Sequence, residues 1–171
     1  MSLSTEILVR LKATQNGPND FGGSFSPTMQ ALLQTAAGTG ANQADILFID
    51  ERTVNSATND DLDLAGVLTS AFGATITAAE LVAVFVINAR REGAANTTNL
   101  TIGGGSNPVV GFLGGTTPTI GPIRPGGFVM IGCGDAAGIG AVTASTGDIL
   151  RIANSSGAAA TYQIAILART A

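Results

Sequence analysis

Gly, Pro and Asn clusters break this chain into short pieces, and most pieces between them alternate apolar with polar residues or are apolar throughout. That pattern leaves little room for anything but β-structure. Residues 5–13 (TEILVRLKA) set Ile7, Val9 and Leu11 on one face and Arg10 and Lys12 on the other, the signature of a half-buried strand. Residues 60–68 (DDLDLAGVL) turn Leu62 and Leu64 inward and Asp61 and Asp63 outward. Residues 149–154 and 161–168 alternate cleanly, through Leu150 and Ile152 in the first and Tyr162, Ile164 and Ile166 in the second. With Ser155-Ser156-Gly157 between them, they read as a hairpin.

Residues 81–87 (LVAVFVI) are apolar on both faces, as in a central strand covered on both sides. A buried helix competes, but the β-branched Val82, Val84, Val86 and Ile87 favour a strand. Residues 44–55 begin apolar and turn polar at Asp50-Glu51-Arg52. Residues 28–37 (TMQALLQTAA) are ambiguous: Met29, Leu32 and Leu33 would suit one helical face and no clean alternation appears, and the strand reading there follows the rest of the chain. Residues 14–27 have turn chemistry and no period, so they form an extended loop or arm. Phe21 and Phe25 within it have no strand of their own and are the candidate interface residues, packing onto the domain or onto a neighbour. Roughly nine or ten strands at about 10–15-residue spacing predict a single all-β domain over 1–171, a jelly-roll-like or other Greek-key β-sandwich. The absence of a fixed repeat argues against a propeller or β-helix.

Candidate chemistry is sparse. The chain has no His, one Lys and one Cys, so the usual general base and commonest metal ligand are missing. Cys133, flanked by Ile131, Gly132 and Gly134, reads as a buried small hydrophobe in a strand. Gly38-Thr39-Gly40 and Gly103-Gly104-Gly105 lack the following helix that a phosphate cradle needs. Asp60, Asp61 and Asp63 could offer oxygens to Ca²⁺, but a turn running into an alternating strand accounts for them. Asp50 and Glu51, as strand neighbours, point to opposite faces and cannot serve one substrate. No catalytic, cofactor-binding or metal-binding residue is therefore expected, and the chain reads as a non-enzyme. The Asn-x-Ser/Thr triplets at Asn96, Asn99 and Asn154 read as chance in so Asn-, Ser- and Thr-rich a chain.

Seven Arg and one Lys lie scattered in a chain of net charge -4, which argues against a nucleic-acid partner. No apolar run approaches the ~18 residues of a membrane helix. Residues 1–6 have no basic stretch ahead of an apolar one, so synthesis and folding in a cytoplasm are expected. Charged residues make up only 12%, leaving a surface of Thr, Ser, Asn, Ala and Gly that repels neighbouring protein weakly.

Three stretches carry a resemblance: 38–90, with its Asp-Leu-Asp-Leu-Ala-Gly strand; PIRPGGFVMI at 122–131; and the closing TGDILRIANSSGAAATYQIAILA at 146–168. Together they resemble the small virion proteins of tailed bacteriophages that decorate or cement the capsid. The resemblance implies a jelly-roll-like domain, trimeric, made in the bacterial host's cytoplasm and located on the virion. It also implies binding between capsomers to the major capsid protein, with no cofactor and no catalytic residue. A tail, neck, baseplate or fibre component is the alternative. A carbohydrate-binding module is a weaker one, given 5% aromatics and no Trp.

Overall fold

The computed structural model describes residues 2–17, 23–114 and 118–171, and every regular element among them is a strand. β1 (Thr5–Lys12), β2 (Gln15–Asn16), β3 (Ser24–Phe25) and β4 (Thr28–Ala37) pair with one another, and β5 (Gln43–Ala44) runs parallel to the end of β4. The sandwich begins with β6 (Ile46–Val54) and β7 (Asn59–Asp63), followed by a side ribbon of β8 (Ala65–Thr69) and β9 (Thr75–Thr77). It continues through β10 (Glu80–Ile87), β11 (Leu100–Gly103), β12 (Thr119–Ile123), β13 (Phe128–Gly132), β14 (Gly140–Ala141), β15 (Ile149–Asn154) and β16 (Ala160–Arg169).

Two antiparallel sheets face each other, ordered β13-β10-β16-β6 and β12-β11-β15-β7, with β14 also paired to β10. Along the chain, the eight main strands pair first with last, second with seventh, third with sixth and fourth with fifth. This is the winding of a jelly roll, and it confirms the expected all-β sandwich. The two-sided apolar stretch is β10, central between β13 and β16.

The expected hairpin of residues 149–154 with 161–168 does not form. β15 pairs with β7 and β11, whereas β16 pairs with β6 and β10, so Ser155-Ser156-Gly157 carries the chain across the core from sheet to sheet. Both strands alternate because each turns one face inward. Alternation fixes the face and says nothing of the neighbour. Asn154 secures the crossing, donating through Nδ2 to the carbonyls of Val54 (3.1 Å), Asn55 (3.1 Å) and Ala158 (2.8 Å).

Between the sheets lie Val84, Val86, Ile164 and Ile166 from one side and Leu62, Leu100, Leu150 and Ile152 from the other, all buried. Leu62 and Leu64 face inward as the sequence predicts. A bulge between Leu81 and Ala83 resets the alternation of β10. Leu81 and Val84 belong to this core, while Val82 and Ala83 belong to a second, smaller cluster on the outer face.

One close crossing depends on glycine at both positions. A Cβ on Gly140 would lie 2.6 Å from the Cα of Gly111, and one on Gly111 would lie 2.6 Å from the carbonyl oxygen of Ile139. Gly140→Ala therefore forces two backbones apart and should cost about 1–3 kcal/mol. A lowered Tm with unchanged strand circular dichroism is the expected result. An unchanged Tm would show that the segments separate at no cost.

Candidate interaction surface

Residues 5–17 and 23–35 build a ribbon in one register. Thr5 pairs with Thr35, each later pair follows in step to Lys12 with Thr28, and the same register continues at Gln15 with Phe25 and Asn16 with Ser24. Backbone bonds from Ala13 N–H to Pro27 (3.2 Å) and from Gly17 N–H to Gly23 (2.9 Å) fill the intervals. At ~3.3 Å per residue the ribbon is roughly 40 Å long. Paired residues of an antiparallel ladder share a face. One face therefore carries Ile7 with Leu33, Val9 with Ala31, Leu11 with Met29, and Phe25 beyond them.

Only the root of this ribbon is held by the sandwich. Ile7 and Leu33 pack on the outer cluster of Ala44, Val82, Ala83 and Leu167, and the Thr5 and Thr35 hydroxyls meet at 2.7 Å. Leu33 can sit so low because Gly134 has no side chain: a Cβ there would lie 2.8 Å from Leu33 Cδ1. Further out, no described residue of the chain covers the apolar face. Leu11 is 59% exposed, Phe25 67% and Met29 71%.

Two expectations need correction here. The arm is far longer than residues 14–27, because the strands on either side of that stretch belong to it. The half-burial expected along β1 holds at Ile7 but fails at Val9 and Leu11, which share its face and stand exposed. An apolar alternation announces a face that needs cover, not where the cover comes from. Of the two candidate interface residues, Phe25 lies on the exposed apolar face of the arm, and Phe21 falls outside the described residues.

A second uncovered apolar surface is the outer face of the first sheet. Ile49 of β6, Phe85 of β10, Phe128 and Met130 of β13 and Ala165 of β16 point away from the core there. Phe85 and Phe128 meet edge to face at 6.1 Å, and Phe128 remains 65% exposed. Two adjoining grooves of about 480 Å³ each run over this face and share Ile49, Phe85 and Ala165. One is bounded by the arm root, from Ser4 to Ile7, and the other by Asp50, Glu51 and Arg91.

Several ionisable groups are engaged within the chain. Arg52 grips Asp60 with two hydrogen bonds, Nε at 2.6 Å and an Nη at 2.9 Å, and Tyr162 donates its hydroxyl to the same carboxylate at 2.8 Å. Since Arg52 and Tyr162 belong to one sheet and Asp60 to the other, this is a strut between sheets. Burial opposes the Asp60 charge, yet the bonds from Arg52 and Tyr162 outweigh it and hold the carboxyl below its ordinary pKa. Burial and the Asp60 charge push the Tyr162 hydroxyl well above its ordinary range. Asp61, on the opposite face of β7, is held by Arg151 at 2.6 and 2.7 Å. Asp50 bonds Arg52 while Glu51 accepts from the Arg91 N–H, so these neighbours do diverge.

Arg169, fully buried, donates to the carbonyls of Gln43, Asp135 and Ala136, each at 2.8 Å, and to Glu80 at 3.0 Å. It ties the strand beside the arm root to the first sheet. Nothing in the local sequence marks it for that task. Cys133 lies just past the end of β13 and is half-buried, not enclosed in a strand, with its N–H bonded to Val82 at 2.9 Å.

No protein-family model, curated protein or solved structure matches the chain.

The strut makes a signed prediction. Because the folded pKa of Asp60 is depressed, its stabilisation is present above the ordinary carboxylate range and lost as the pH falls through the folded value. Asp60→Asn should cost about 2 kcal/mol at pH 7, by leaving Arg52, in a partly buried site, with only the Asp50 carboxylate as a charged partner. The gap between variant and wild type should begin to narrow below about pH 4 and go on narrowing as the pH falls toward the depressed folded value. Urea melts at pH 7 and pH 3 check this, and a gap independent of pH would contradict it.

Proposed function

We infer that the chain is a non-enzymatic structural subunit of a larger protein assembly. The observation that carries this reading is the arm: beyond its root, roughly 30 Å of paired backbone presents an apolar face that the described residues of its own chain leave uncovered. Exposed apolar surface of that length is costly for a free monomer and useful for one that is covered on assembly. The carboxylates of the strut support the reading from another side, since they are occupied by arginines and a tyrosine.

The assembly best suited to this subunit is the tailed-phage capsid, which it decorates or cements between capsomers. Its partners are then copies of itself, as a trimer, and the major capsid protein. That context comes from the resemblance of residues 38–168 to decoration proteins. The jelly roll is compatible with it without requiring it, because the same winding serves many functions.

Peptide mass spectrometry on gradient-purified particles tests the reading. The expected result is this chain at a copy number that scales with capsomers, together with extra density on the shell in an image reconstruction. A handful of copies at the tail or neck would move the subunit to those structures. Absence from particles, with abundant free protein, would overturn the structural role.

A further inference from the structure

The two uncovered apolar surfaces complement each other in shape. The distal arm is a narrow two-stranded ribbon with one apolar face, and the outer sheet face is a trough floored by Ile49, Phe85, Met130 and Ala165. The chain already demonstrates the contact: its own arm root, through Ile7 and Leu33, packs on this sheet face beside the trough. The rest of the arm leaves that face and stands exposed. We propose that the distal arm of one copy lies in the outer-face trough of a second copy, each copy giving one arm and receiving one.

Two features commit the trough to this occupant. The first is continuity, because a second arm laid beside the root extends an apolar contact that the fold already makes. The second is area. The ribbon beyond the root measures roughly 30 Å by 10 Å, about 300 Å² per face, so two arms in two troughs cover about 1,200 Å², the lower limit for a stable specific interface. The aromatic Phe25 near the tip and Phe128 at the trough margin are the side chains suited to anchor the contact.

The proposal deepens the structural-subunit reading and rests on it, but purified full-length chain tests it without particles. Sedimentation at 100 µM should give a multiple of the 17.0 kDa chain. Leu11→Asp combined with Met29→Asp should sediment as a monomer and melt at the Tm of dilute wild-type monomer, since both residues are exposed in the free chain. In a Cys133→Ala background, tagged Met29→Cys chains mixed with untagged Ile49→Cys chains should form a mixed disulfide on mild oxidation. Adding Leu11→Asp to the tagged chain should abolish it. A wild-type monomer at 100 µM overturns the exchange, as does an oligomer that the arm substitutions leave intact and that yields no mixed disulfide. A monomer still found on particles overturns the exchange alone. A cross-linked oligomer absent from particles supports the exchange and overturns the structural reading.

Discussion

The sheet β13-β10-β16-β6 is apolar on both faces, and the rest of the molecule is arranged around that fact. A sheet of this kind needs two covers. The second sheet supplies the inner one, through Leu62, Leu100, Leu150 and Ile152. The outer cover is incomplete: Ile7 and Leu33 close it over Ala83 and Leu167 but leave Ile49 and Phe128 in solvent. Covering about 300 Å² of such surface is worth about 7 kcal/mol before the costs of association are met. The uncovered half of one sheet and the uncovered face of the arm are thus two parts of one deficit.

The polar groups are placed so that this deficit stays apolar. Arg52 and Arg151 are spent on Asp60 and Asp61, and Arg169 is sealed among loop carbonyls and Glu80. With only 12% charged residues, a chain that commits three of its seven arginines to ion pairs within its own structure has few left to solvate its surface. The strut and the Arg169 clamp act on the same object from two sides. One holds the sheets together, and the other fixes the strand beside the arm root, so the arm leaves the sandwich from a rigid base.

Much of this was legible in the sequence. Period-2 runs gave the strands and their inner faces, and the two-sided run at 81–87 located the central strand. Pairing was not legible, because the jelly roll joins strands distant in the chain and puts β15 and β16, neighbours in sequence, in opposite sheets. The arm was visible only at its turn-rich centre. Its flanks look like ordinary half-buried strands, since Val9 and Leu11 alternate as faithfully as Leu150 and Ile152 do. The strut was hidden for a different reason. Alternation puts Asp60 on the inward side with Leu62 and Leu64 and opposite to Asp61 and Asp63, but its partner Tyr162 stands 102 residues away, and no local pattern names that partner.

The central claim is that the arm's apolar stripe and the outer sheet face are buried together on assembly and exposed in the free chain. Hydroxyl-radical footprinting reads side-chain exposure directly at Met29, Phe25 and Phe128. Oxidation of all three should be rapid in dilute monomer and strongly suppressed together in the assembled protein, while the buried Tyr162 stays protected in both. Equal oxidation of Met29 and Phe128 in the two states would contradict the account.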